Sequence, residues 1–102
     1  MANINGYEMQ TTFWEDFSIA DRFGAEAIAD TFSRAFGEWK DDIVYLAELA
    51  MVTNWKCWNF YNDGQEEISR MYADYYHQCM DYAYGGGEFT EEEQRKFFEL
   101  TD

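Results

Sequence analysis

The sequence predicts an all-α fold, a compact bundle of about five helices, three long and two short, with a mobile N-terminal tail. Three observations predict it. Proline is absent from all 102 residues, which removes the commonest breaker of long helices. Apolar side chains recur at spacings of three and four in several stretches, and no strand-like alternation of useful length interrupts them. Helix start and stop signals punctuate the chain at intervals that suit helices packed side by side. A chain of this length is one domain's worth, so residues 1–10 are expected to be a disordered tail and residues 11–102 a single helical domain.

Residues 1–10 are polar and lack periodicity, which motivates the tail. At Thr12 the pattern changes: Thr12 and Glu15 have capping-box spacing and predict a short helix to about Arg22, ending near Gly24. "AEAIADTFSRAFGEW" is amphipathic, with Ile28, Phe32, Ala35, Phe36 and Trp39 on one side. Asp41 or Asp42 is the expected cap of the next helix. That helix, Ile43 to Tyr61, is apolar on most sides, as a central helix should be. At 100° per residue, Ile43, Ala47, Ala50, Met51, Trp58 and Tyr61 centre its core face, while Tyr45, Val52, Lys56 and Asn59 lie roughly opposite. Asp63 and Glu66 have capping-box spacing for a helix from about Gln65 to Tyr84, striped by Ile68, Met71, Tyr72, Tyr75, Cys79 and Tyr82. Gly85–Gly87 should end it in a flexible joint, and Thr90 with Glu93 should cap the last helix.

Twenty-one acidic residues against seven Lys and Arg give a formal charge of −14. The segments 1–40, 41–64 and 65–102 carry −4, −3 and −7, so the excess runs the whole length. A field of that sign repels phosphate backbones and anionic lipid, which excludes direct binding to nucleic acid or membrane and favours a protein partner with a basic surface. No disulfide framework, zinc knuckle or basic-apolar leader is visible, so a cytoplasmic protein with reduced Cys57 and Cys79 is expected.

"DYYHQCMD" holds the lone histidine. Asp74, His77 and Asp81 share one helix face, but at 100° per residue that face points away from the stripe of Tyr75 and Cys79. Bundle metal sites project inward, so neither a metal nor a cofactor is expected there. The stretch instead suggests a partner-binding surface of Asp74, Tyr76, His77, Met80, Asp81 and Tyr84. Trp14, Phe17 and Trp39 also exceed what a core this size needs. Glu48 stands in an apolar run, and its angle sets it beside Trp55 and Asn59 at the core edge, reaching solvent. An enzyme of another class would join Glu48, Asp74 and His77 around a metal, with a homodimer for a two-histidine site, which needs a second copy. Both cysteines fall on apolar stripes, and neither serine has a histidine near it in sequence, so nucleophilic catalysis is not expected.

"FWEDFSIADRFGAEAIADTFSRAFGEWK", followed by "YLAELAMVTNWKCW" and the closing "FFELTD", resembles a family of small proteins encoded on mobile and conjugative elements of intestinal bacteria. The resemblance covers most of the chain beyond residue 11 and is less clear from "GQEEISRMY" to "YGGGEF". It implies a bacterial cytoplasm and an accessory role in element transfer, maintenance or defence evasion, and it brings no catalytic residues. Composition and resemblance together suggest a non-enzymatic, acidic interaction protein, with inhibition of a host defence protein by DNA mimicry as a special case.

Overall fold

The computed structural model describes residues 2–102. Two short antiparallel strands, β1 (Asn3–Ile4) and β2 (Tyr7–Glu8), lead into five helices: α1 (Phe13–Asp21), α2 (Ala25–Trp39), α3 (Ile43–Asn62), α4 (Glu66–Asp81) and α5 (Glu91–Thr101). A single π-helical turn, Tyr82–Gly86, extends α4. The all-α bundle is therefore present, three helices long and two short.

The expected disordered tail over residues 1–10 does not hold for the described residues. Asn3 pairs with Glu8 and Ile4 with Tyr7 around a two-residue turn in which Asn5 and Gly6 both take positive φ, 52° and 81°. Asn-Gly is the dipeptide that tolerates this turn best. The hairpin then buries Ile4 and Met9 in the core, and the Met9 amide donates to the Ala2 carbonyl. So short a hairpin is held by that burial and by a carboxylate described below, not by its own ladder.

Two of the four expected caps form. Asp42 accepts from the Val44 and Tyr45 amides, and Thr90 and Glu93 make a reciprocal capping box. Thr12 spends its hydroxyl on Asp16 one turn on, so the Thr12–Glu15 box is not made. Asp63 closes α3 and accepts from the Gln65 side chain, leaving Gln65 at the start of α4. Gly64, at φ 79°, makes the reversal between them.

α3 is the hub: α4 and α5 pack extensively on it, and α1 and α2 touch it less. Its middle, Leu46 to Thr53, is buried without a break. The α2 stripe meets α4, with Phe32 stacked on Tyr75 at 4.2 Å and Phe36 edge-on to Tyr82. Tyr72, wholly buried, takes Phe17 on its edge and Phe60 on its face. A ring of that size buried so fully contributes about 2 kcal/mol of apolar transfer energy. The predicted core face of α3 fails at its C-terminal end. There Phe60 turns inward against Tyr72, while Trp58 and Tyr61 stand out in solvent.

The Gly85–Gly87 joint is not a free linker. Gly85 and Gly86 belong to the π turn, and the Gly87 amide donates to the Tyr82 carbonyl at 2.8 Å. A Cβ on Gly87 would meet the Tyr82 and Phe89 rings at 2.8 Å, so the tight packing there requires glycine.

Candidate functional site

Glu48 is fully buried, contrary to its expected position at a wet edge. The hairpin and the residues after it cover that edge of α3. They also supply donors: Tyr7 Oη at 2.7 Å, and the Gln10 amide, Thr11 amide and Thr11 Oγ1, each at 2.9 Å from the nearer carboxylate oxygen. Burial, then the bond to Glu48, pushes the Tyr7 phenol up to about 12. A carboxylate so enclosed and so fully bonded has no open side from which to take a substrate proton. It serves as an anchor that ties the N-terminal segment to the central helix.

The set of Glu48, Asp74 and His77 is not assembled. Glu48 faces residues 7–11 from inside, while Asp74 and His77 are exposed on α4. Among the described residues, no three His, Cys, Asp or Glu side chains converge as a metal site would require.

A second internal polar cluster departs from the sequence expectation. Lys56, expected opposite the core face, is buried. Its Nζ pairs with Asp21 at 2.9 Å, donates to Ser18 Oγ at 2.8 Å and sits 4.2 Å from the centre of the Trp14 ring. Tyr72 Oη donates to the other Asp21 oxygen. Burial, followed by that bond, holds the Tyr72 phenol far above its ordinary range. A serine beside a lysine invites comparison with a Ser–Lys nucleophile. That chemistry needs a neutral amine to take the hydroxyl proton. Here the amine is ion-paired, Trp14 covers it, and the Ser18 hydroxyl donates to the Trp14 carbonyl at 2.7 Å. The cluster is a clamp joining α1, α3 and α4. One signal pointed to it: a lone lysine in an otherwise apolar helix needs a buried acid if its neighbours cover it.

The cysteines are free, and Cys79 is buried where desolvation pushes its thiol up, away from reactivity. Every buried side-chain nitrogen and oxygen among the described residues has a hydrogen-bond partner.

The α4 residues expected to meet a partner divide into two rows. Asp74, His77 and Asp81 are exposed, as their angles require. Tyr76 and Met80 are half-buried against the core, and Tyr76 lines a small cleft with Tyr7 and the end of α5. Tyr84 is exposed at its edge, but its ring packs on the buried Phe97 of α5 at 5.4 Å. Two of that row, Tyr76 and Tyr84, thus already lie against α5. Among the aromatics expected to be surplus, Phe17 is wholly buried, and Trp14 and Trp39 are half-buried.

Besides Tyr84 and Trp55, the large apolar side chains left outside are others. Phe23 is 77 % exposed and Ile19 57 %, both at the end of α1 beside a groove of about 490 Å³ between α1 and α2. Trp58 and Tyr61 form an exposed T-shaped pair on α3, and Phe98 is exposed on α5. Among the described residues, no helix is long and apolar enough to cross a membrane.

Comparison with protein-family models, with curated proteins and with solved structures gives no match.

Proposed function

We propose that this chain is a non-enzymatic, acidic interaction module that recognises a protein with a basic surface. The observation that carries the reading is where the large apolar side chains lie. Ile19, Phe23, Trp58, Tyr61 and Phe98 stay in water on a molecule of charge −14, while its buried polar groups are consumed in internal bonds. Apolar anchors within a ring of like charge suit a partner of opposite charge, because the charges steer encounter and the anchors hold the contact. The surface ion pairs, Arg34 with Asp30 and Arg70 with Glu66, sit one helical turn apart and neutralise little of the excess. Free cysteines fit a cytoplasmic setting. The resemblance to proteins of mobile elements fits an accessory role against, or alongside, a host protein, and a DNA-binding defence protein is one such basic partner.

The test is capture from a bacterial host lysate, followed by titration of the purified pair. A basic partner whose affinity falls by about tenfold or more between 50 and 300 mM salt is expected. Capture of no partner, or of one whose affinity ignores salt, would overturn the reading.

A further inference from the structure

The groove between α1 and α2 joins concavity, exposed apolar side chains and net negative charge. Ile19 and Phe23 rise from one wall, Ala27 and Ala35 line the floor toward α2, and Trp39 closes one end. Asp16, Asp30 and Glu38 stand on the lining, with Arg34 as its single cation, already paired to Asp30 at 2.9 Å. The exposed aromatic row of α3 has less of this charge on its own helix. The carboxylate and the lysine of that helix, Glu48 and Lys56, are both buried, so α3 itself sets no exposed carboxylate beside Trp58 and Tyr61. Nor do the described terminal segments cover the groove, since the hairpin is tied to Glu48 and α5 packs on α3.

We infer that the α1–α2 groove is the docking site for a basic amphipathic helix of a partner protein, an inference that rests on the interaction-module reading and narrows it to one surface and one ligand chemistry. The dimensions agree. The nine residues of α1 run about 13 Å, and apolar residues at i and i+7 of a partner helix lie about 10 Å apart. Two turns of helix could thus set anchors at i, i+3 or i+4, and i+7 between Ile19, Phe23 and Trp39. Lysine or arginine on the flanks of that helix would face Asp16 on one side and Asp30 and Glu38 on the other.

The probe is an 18-residue leucine/lysine peptide with leucines at i, i+3, i+4 and i+7 spacing. Its controls are the leucine/glutamate peptide and a lysine/serine peptide of equal charge. Amide and methyl chemical shifts of the full chain, titrated at low salt, should move at Ile19, Phe23 and Ala27 with the leucine/lysine peptide alone. Ile19→Ser with Phe23→Ser should weaken it at least tenfold, Arg34→Glu should tighten it about threefold, and Trp58→Ser should leave it unchanged. Both serine changes fall on exposed side chains, and unchanged helical circular dichroism confirms that the fold survives them. Shifts centred on Trp58 and Tyr61, or equal binding by the double variant or by the lysine/serine peptide, would overturn the groove while leaving an acidic interaction module standing. No salt-sensitive binding of any basic peptide would remove the groove, whereas the wider reading answers to the lysate capture. A concentration-dependent dimer with line broadening at Ile19 and Phe23 would show that a second copy takes the groove, and would also overturn the basic helix.

Discussion

Glu48 accepts from groups on residues 7, 10 and 11, so removing it strands donors that solvent reaches poorly. Glu48→Ala should destabilise the chain by about 3 kcal/mol in urea titration, since several part-buried donors lose a buried, charged acceptor at once. Amide exchange should show residues 3–11 opening first while α3 and α4 stay protected. Tyr7→Phe removes one half-buried donor and should cost about 1 kcal/mol. The pH dependence of that bond has a definite sign. The Tyr7 phenol is raised in the folded state from 10.0 to about 12, so its contribution is whole below pH 10 and is lost as pH climbs toward 12. Other tyrosines also titrate late, so the readout is the difference in stability between wild type and Tyr7→Phe, which should shrink to nothing across that window. Uniform protection of the hairpin in Glu48→Ala would contradict the anchoring role. The sequence angle of Glu48 was sound as far as its own helix goes. What it could not include is a lid supplied from residues 2–11, because residues 1–10 read as a tail. The burial of Lys56 has a different origin, since its partners Asp21 and Trp14, and Tyr72 bonded to Asp21, arrive from other helices whose placement a single helix's angles do not contain.

At the scale of elements, the glycine run separates two structural readings that composition alone confuses. In a flexible joint all three glycines would tolerate alanine alike. In a packed π turn Gly87 is the most closely faced, by the Tyr82 and Phe89 rings, and Gly86 less so, by Tyr82, whereas Gly85 has open space and no unusual φ. Gly87→Ala should therefore cost about 1–2 kcal/mol by forcing those rings apart. Gly85→Ala should be neutral or add about 0.5 kcal/mol by restricting the unfolded chain. Chemical denaturation of the two variants decides it, and equal effects would mean a linker. Local signals were reliable where the partners lay within one turn and nothing competed, as at Asp42 and at Thr90 with Glu93. They failed at Thr12, where Asp16 competes for the hydroxyl. The hairpin had a readable signal too. Asn5-Gly6 flanked by Ile4 and Tyr7 is a hairpin turn, but strands of two residues are too short to show alternation. The stripes of α2 and α4 were legible because each is amphipathic by itself. α3 is apolar nearly all round, and for such a helix periodicity cannot say which turns protrude.

For the whole molecule, charge was legible from the sequence because it is additive, whereas the groove was not, because it exists only once α1 and α2 are set side by side. The same charge makes a prediction about stability that runs opposite to the one about binding. With a radius of gyration of 12.9 Å, carboxylates at typical separations lie within a screening length of about 30 Å at 0.01 M salt and beyond one of about 3 Å at 1 M. At low salt the excess of −14 therefore repels itself across the fold, and the two exposed i,i+4 pairs offset little of that. Added salt should screen the repulsion while leaving intact the buried bonds of Glu48 and the Lys56–Asp21 pair. Raising sodium chloride from 0.01 to 0.5 M should raise Tm by about 5 °C, the shift for roughly 1 kcal/mol in a domain of this size. Affinity for a basic partner should fall over the same range. A thermal melt and a binding titration on one salt series check both signs together. A Tm that falls with salt would mean that attractive surface pairs outweigh the repulsion, and the unneutralised acidic surface on which partner recognition depends would then be the wrong description of the molecule.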